Sequence, residues 1–391
     1  MTPAARVQAA IDILDEVIAA ARTQGAAADT IVARYFSTRR YAGSKDRRAV
    51  RDLLFAAIRR SGEVPVSGRA AMIGLAGDRP EVAALFNGAP HCPAPIRPEE
   101  PASPAAALPA WLSEKLLPVL GAEQLPALLA RAPLDLRANR LKTTRADLLA
   151  RLPEAVAAPH APDAFRLPEG TRVEALAEWR EGLFEVQDEG SQLLAEAVGA
   201  GPGQTVIDLC AGAGGKTLAL AAAMANEGRL IACDVDRARL SRLAPRKARA
   251  GASMIEELLL DAGREDRALH SLAGRADAVL VDAPCSGSGT WRRNPEARWR
   301  LTPERLARLS AMQAHVLDLG AGLVRPGGRL VFAVCSLLPD EGADRLAAFL
   351  ATRSGWTPEA LPLGVPSGAG FMLTPERDGT DGFFVASLIR A

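Results

Sequence analysis

Long apolar runs are missing from this chain. No stretch approaches the roughly 18 to 20 apolar residues that a membrane helix needs, and Asp12, Asp15 and Glu16 interrupt the apolar pattern near the N-terminus, where a signal peptide would be uncharged. Cysteine pairs are missing too. Cys92, Cys210, Cys233, Cys285 and Cys335 lie far apart with no C-x-x-C, and His91, His160, His270 and His315 show no ligand spacing. This excludes a disulfide framework and a zinc knuckle, and it leads us to expect no metal and a cytoplasmic, reducing location. No charge sign dominates: 47 basic residues face 46 acidic ones, for a net charge of +1. Lysine is scarce, with five among the 47, yet the basic residues cluster locally. Nine lie between Arg34 and Arg60 against Asp46 and Asp52, and six lie between Arg237 and Arg249 with no acid. A solvated helix face explains each cluster alone, but together they suggest a polyanionic partner. With no glycine period and no long polar tract, 48% apolar and 24% charged residues describe a folded globular protein. Its 391 residues suffice for two or three domains.

Residues 6 to 60 place apolar side chains at helical spacing: Val7, Ala10, Ile11, Leu14, Val17 and Ile18, then Ile31, Val32, Tyr35 and Phe36, then Val50, Leu53, Leu54 and Ile58. This predicts an all-helical N-terminal domain over 1–88. Seven prolines between Pro90 and Pro109 remove backbone donors and disfavour helix, which predicts a linker over 89–110. Residues 111–186 mix short helical and strand-like pieces, including Leu136 to Leu141 and Phe184 to Val186, as in a small α/β domain. Over 187–391, apolar runs suited to buried parallel strands alternate with amphipathic helices. The strands are expected at Val206 to Leu209, Leu230 to Cys233, Met254 to Leu260, Ala278 to Val281 and Leu330 to Val334. The helices are expected near 216–225, 237–250, 303–323 and 341–353. This is the pattern of a Rossmann-like, doubly wound α/β domain with a mostly parallel sheet, whose ligands bind outside the carboxyl ends of the strands.

The first of those strands runs into Asp208-Leu209-Cys210-Ala211-Gly212-Ala213-Gly214-Gly215-Lys216-Thr217, a glycine-rich turn entering a helix. A phosphate-binding P-loop requires glycine five positions before Gly215, where Cys210 stands. A dinucleotide or S-adenosylmethionine loop requires an acid at the end of the next strand for ribose hydroxyls, and Asp234 stands there. Asp261 and Asp282 end the third and fourth strands. Each alone reads as a cap or turn former; in series beside the glycine loop they read as a nucleoside site. After the fourth strand comes Asp282-Ala283-Pro284-Cys285-Ser286-Gly287, and after the fifth, Cys335-Ser336. A buried cysteine is usually a small hydrophobe. Two at one sheet edge, one beside an aspartate, suit methylation of a pyrimidine at carbon 5. A thiolate added to carbon 6 makes carbon 5 nucleophilic, an acid at ring nitrogen 3 absorbs charge, and a second cysteine assists elimination. The residues alone do not rank the two cysteines.

These segments, with Arg292-Arg293-Asn294-Pro295, Leu337-Leu338-Pro339, Asp381-Gly382-Phe383-Phe384, Gln187 to Gln192 and Arg137 to Lys142, resemble the Sun/RsmB family of RNA cytosine-5 methyltransferases over about residues 111–391. Residues 1–105 resemble it less, as a helical extension of the NusB-like, RNA-binding kind. The resemblance implies Cys335 as nucleophile, Cys285 as the cysteine that releases product and Asp282 as the acid near the base. DNA cytosine-5 methyltransferases use the cysteine of a Pro-Cys pair, so the family decides this ranking. It also implies S-adenosylmethionine held by Cys210, Ala211, Gly212, Ala213, Gly214, Gly215, Lys216, Asp234, Asp261 and Asp282. The expected partner is RNA, ribosomal or else transfer RNA, acted on by a monomer away from any membrane. Trp291, Arg292 and Arg293 follow Cys285, so stacking by the indole and phosphate pairing by the arginines are expected there. Asp188 and Ser191 are read as helix caps. Gly212-Ala213 replaces the family's usual Ala-Pro, and Val334 its threonine. A non-catalytic RNA-binding assembly factor is the alternative, favoured only by the altered loop.

Overall fold

The computed structural model describes residues 1–23 and 25–391. They group into two compact units: Met1–Arg131 with Thr290–Thr302, and Ala132–Gly289 with Pro303–Ala391. The boundaries expected from sequence at 88/89, 110/111 and 186/187 all fall inside these units.

The first unit is helical, with long helices over Pro3–Thr23, Ala28–Ser37, Ser44–Arg60, Gly68–Asp78 and Ala110–Leu120. The helically spaced side chains form its core: Val7, Leu14, Val17, Ile31, Val32, Phe36, Val50, Leu54 and Ile58 are buried together. The proline-rich stretch is irregular, as expected, but it is pinned to the helices. Ser103 N donates to Ala70 O (2.9 Å), Ala106 N donates to Arg60 O (3.0 Å), and Arg69 pairs with Glu100 (2.8 Å).

Residues 290–302 also belong to this unit, where they close helix ends that would otherwise leave backbone groups bare. Arg298 is fully buried and donates to the carbonyls of Ile58 (2.7 Å) and Ser61 (2.8 Å) at the end of the Ser44–Arg60 helix. Trp299 Nε1 donates to Ser61 O (2.8 Å). At another helix start, Ala28 N donates to Glu296 Oε1 (2.9 Å). A cation at a C-terminus and an anion at an N-terminus both match the helix dipole.

The second unit holds two sheets. The smaller comprises β1 (Leu134–Ala138), β2 (Val156–Ala157), β3 (Ala164–Leu167) and β4 (Phe184–Val186), antiparallel in the order β2-β3-β1-β4. The helix Glu189–Glu196 follows, capped by the Asp188 carboxylate, which accepts from Gly190 N (2.8 Å) and Ser191 N (3.3 Å). Asp188 therefore caps as expected, whereas Ser191 Oγ accepts from Gln187 Nε2 (3.2 Å).

The larger sheet begins with β5 (Thr205–Asp208), β6 (Arg229–Asp234), β7 (Ile255–Leu259), β8 (Ala276–Asp282) and β9 (Val324–Val334), all parallel in the order β7-β6-β5-β8-β9. These match the five expected strands within a few residues, except that β9 begins earlier, at Val324. Four further strands were not anticipated: β10 (Trp356–Glu359), β11 (Val365–Ser367), β12 (Gly370–Leu373) and β13 (Phe383–Arg390). β13 lies antiparallel beside β9, pairing Phe384 with Val334 and Leu388 with Leu330, and it carries β10 and β12. Chain order reverses between β5 and β8, which opens a crevice at their carboxyl ends, the place where such sheets take ligands. Among the described residues no helix is long and apolar enough to cross a membrane.

Candidate active site

All five parallel strands end at one cavity of about 510 Å³. Cys210 follows β5, Asp234 ends β6, Leu260 follows β7, Asp282 ends β8 with Ala283, Pro284 and Cys285 behind it, and Cys335 follows β9. The helix Pro303–Leu323 supplies a further wall with Arg305, Leu309, Met312 and His315.

The glycine loop is held by its own backbone. Ala211 N donates to Cys233 O (2.8 Å) and Gly212 N to Asp234 Oδ2 (2.7 Å). The other Asp234 oxygen accepts from Asp236 N (2.7 Å). Gly212 (φ +57°) and Gly214 (φ +82°) adopt left-handed conformations that side chains resist. A Cβ at Gly214 would stand 2.2 Å from Leu243 Cδ1. Replacing the family's Ala-Pro by Gly212-Ala213 therefore leaves the loop anchored, through Asp234. Gly215 opens the helix Gly215–Ala223 and places Lys216 in its first turn.

Lys216 pairs with the end of β8. Its Nζ lies 2.7 Å from Asp282 Oδ2. Burial alone would lower the Lys216 pKa, but the charge and hydrogen bond of Asp282 more than offset it, and Cys335 adds to the same effect. At the end of β5, Asp208 is buried. Thr217 Oγ1 donates to its Oδ2 (2.7 Å), while its Oδ1 has no partner among the described residues. Burial pushes its pKa up to about 7.

The two cysteines meet: Cys285 Sγ and Cys335 Sγ are 3.3 Å apart, and both side chains are half-buried. The hydrogen bond with Cys335 and burial push the Cys285 thiol well up, and burial does the same to Cys210. The structure thus gathers Cys210, Asp234, Asp282, Cys285 and Cys335 around one cavity. Asp261 is placed differently: its side chain is exposed, and its neighbours Leu260 and Ala262 line the cavity instead.

Trp291, Arg292 and Arg293 call for a correction. Trp291 is fully buried and Arg292 is buried, so neither presents a free ring or guanidinium for stacking or phosphate pairing. Proximity in sequence to Cys285 suggested a substrate-facing segment, but after Gly289 the chain packs into the helical unit. Arg293 is half-buried.

Several site residues escape sequence reasoning. Arg239, Glu265, Arg305 and His315 line the cavity, with His315 Nε2 and Glu265 Oε2 3.3 Å apart. Glu341 is fully buried beside the thiols. Arg239 belongs to the basic cluster between Arg237 and Arg249, which marked charge but no cavity; the others neither belong to a glycine turn nor end a strand, so no local signal marked them. No cluster suited to a metal ion occurs among the described residues.

The family model of 16S rRNA methyltransferase RsmB/F matches residues 196–389. The probable ribosomal RNA small subunit methyltransferase B of Synechocystis sp. is 34% identical over 299 residues, covering 72% of this chain and 67% of the relative. The ribosomal RNA small subunit methyltransferase B of Klebsiella pneumoniae is 36% identical over 293 residues, covering 72% of this chain and 66% of the relative. The matched stretch thus spans about two thirds of these curated relatives. In fold, the crystal structure of PH0851 superposes with a TM-score of 0.78 at 23% identity, covering 99% of both chains. With the strand-end cavity, its glycine loop and its cysteine pair in place, these matches identify the family: the chain belongs to the RsmB/F family of 16S rRNA methyltransferases.

Proposed function

We propose that this chain methylates carbon 5 of a cytosine in ribosomal RNA through a covalent bond between Cys335 and carbon 6 of the ring. The observation that carries the reading is the 3.3 Å approach of two thiols at the carboxyl ends of β8 and β9, opening on the cavity. The cofactor is S-adenosylmethionine. The site fits it: the cavity has the volume of a nucleoside-sized ligand, and the carboxylates of Asp234 and Asp282 on its wall suit a cationic molecule. Cys210 to Gly215 and Asp234 would hold its nucleoside. When bound, it supplies an electrophilic methyl group.

The chain's own residues perform the rest. Lys216 places its positive charge close enough to Cys335 for the two to interact, and Cys335 acts as the thiolate. That thiolate adds to carbon 6, and the Lys216–Asp282 pair meets the charge developing at ring nitrogen 3. Bond formation at Cys335 also removes the hydrogen bond that contributes most to holding up the Cys285 pKa. Cys285 then loses its own proton to water in the cavity and, as thiolate, takes the proton from carbon 5; the electrons of that C–H bond restore the ring double bond and expel Cys335 as thiolate.

Incubation with unmodified small-subunit RNA and labelled S-adenosylmethionine, followed by nucleoside analysis, tests this. Label is expected in 5-methylcytidine and is expected to fall to background in Cys335→Ala. Label in any other nucleoside would overturn the reading.

A further inference from the structure

The buried carboxylate of Glu341 accepts four hydrogen bonds and forms no ion pair among the described residues. Its Oε1 accepts from Ser286 N (2.8 Å) and Gln313 Nε2 (2.9 Å). Its Oε2 accepts from Ser336 Oγ (2.5 Å) and from Ser286 Oγ. Burying a carboxylate without a cation is costly unless hydrogen bonds replace its water, and here they do.

The identity of the donors suggests what the charge is for. Ser286 directly follows Cys285, and Ser336 directly follows Cys335. One carboxylate oxygen thus grips the residue after each thiol and joins the β8 loop to the β9 loop. Ser288 Oγ braces the same knot, lying 2.9 Å from Ser336 Oγ and accepting from Leu337 N (2.9 Å). Gln313 ties it to the Pro303–Leu323 helix, donating also to Pro284 O (2.9 Å). Every one of these residues lies in the second compact unit.

We infer that Glu341 is a positioning residue that sets the separation of the Cys285 and Cys335 thiols, and through it the balance between forming the covalent adduct and resolving it. The second half rests on the proposed function; the first does not. Without the clamp, Cys335 still reaches a base while Cys285 no longer stands where elimination needs it.

Thiol separation can be read without any methyl transfer. Diamide takes up two electrons and two protons as two adjacent thiols close to a disulfide, and peptide mapping identifies the pair joined. Wild-type protein is expected to form the Cys285–Cys335 disulfide readily. Glu341→Ala should form it about a hundredfold more slowly, the scale on which displacement by about 1 Å acts on a positioned reaction. Glu341→Gln, which keeps the shape and can still bond the serines, should recover most of the rate. Should Glu341→Ala fail to fold, the double variant Ser286→Ala, Ser336→Ala removes both hydroxyls and leaves the carboxylate its amide donors, with the same slowing expected. With RNA and S-adenosylmethionine, either variant should accumulate covalent protein–RNA adduct as turnover falls; a merely structural role would lower both together. Equal disulfide rates in wild type and both variants would overturn the inference, as would no disulfide in wild type. Slowed disulfide formation in the variants, with no methylation by wild type, would leave the clamp standing and sink the proposed function.

Discussion

The two ends of the cavity are built differently. At the glycine-loop end the backbone does the holding, through Gly212 and Gly214 in left-handed conformations and N–H groups donated to Asp234. At the thiol end side chains do it, through Ser286, Ser336 and Gln313 converging on Glu341. A backbone cradle tolerates changes of side chain but not added bulk at its glycines. A side-chain knot tolerates bulk poorly and loss of a hydrogen-bond partner worse, because each lost partner leaves a buried polar atom bare. Damage at the first end should therefore appear as lost cofactor affinity, and damage at the second as a changed fate of the covalent adduct.

The Glu341 variants carry the largest expected effect on that contrast. Next comes Gly214→Ala. Its Cβ would stand 2.2 Å from the side chain of fully buried Leu243, at a φ of +82° that alanine resists. Strain of about 1 to 3 kcal/mol is expected, so affinity for S-adenosylmethionine by calorimetric titration should fall about fivefold to about a hundredfold. The diamide rate of the cysteine pair should be unchanged. A slowed disulfide with intact cofactor affinity would reverse the contrast between the two ends.

The smallest effect concerns Asp208. Burial raises its pKa from 3.8 to about 7, against the opposing hydrogen bond from Thr217. In that interval the folded state binds a proton that the unfolded chain has released. The stability this confers is therefore full below about pH 4 and is lost as pH rises through about 7. The melting temperature of the cofactor-free protein should fall between about pH 5 and about pH 8, and Asp208→Asn should flatten the fall. A slope unaffected by the substitution would remove Asp208 from the account.

The parallel half of the large sheet was legible because its strands are continuous apolar runs that stop at acids and glycines. Asp208, Asp234 and Asp282 mark where β5, β6 and β8 end. The antiparallel half was not. β10 and β11 are short and contain Pro358 and Pro366, and the apolar run of β13 does not reveal that its partner is β9, some fifty residues earlier. The same distinction runs through the site. Cys285 and Cys335 could be found because each follows a strand, whereas Glu341 follows a proline in a short turn and reads as a solvated acid until the fold brings Ser286 to it. Trp291 misled for the opposite reason. It neighbours Cys285 in sequence, but its indole is buried. Adjacency along the chain predicts a shared surface only while the chain stays within one compact unit.

The central claim is that Cys335 forms the bond to the base and Cys285 ends it. Cys285→Ala incubated with unmodified small-subunit RNA and S-adenosylmethionine, then digested with protease and nuclease and mapped by mass spectrometry, tests it most directly. The account predicts a methylated cytidine nucleotide attached to the peptide that carries Cys335. Full turnover with no adduct, or an adduct on any other residue, would contradict it.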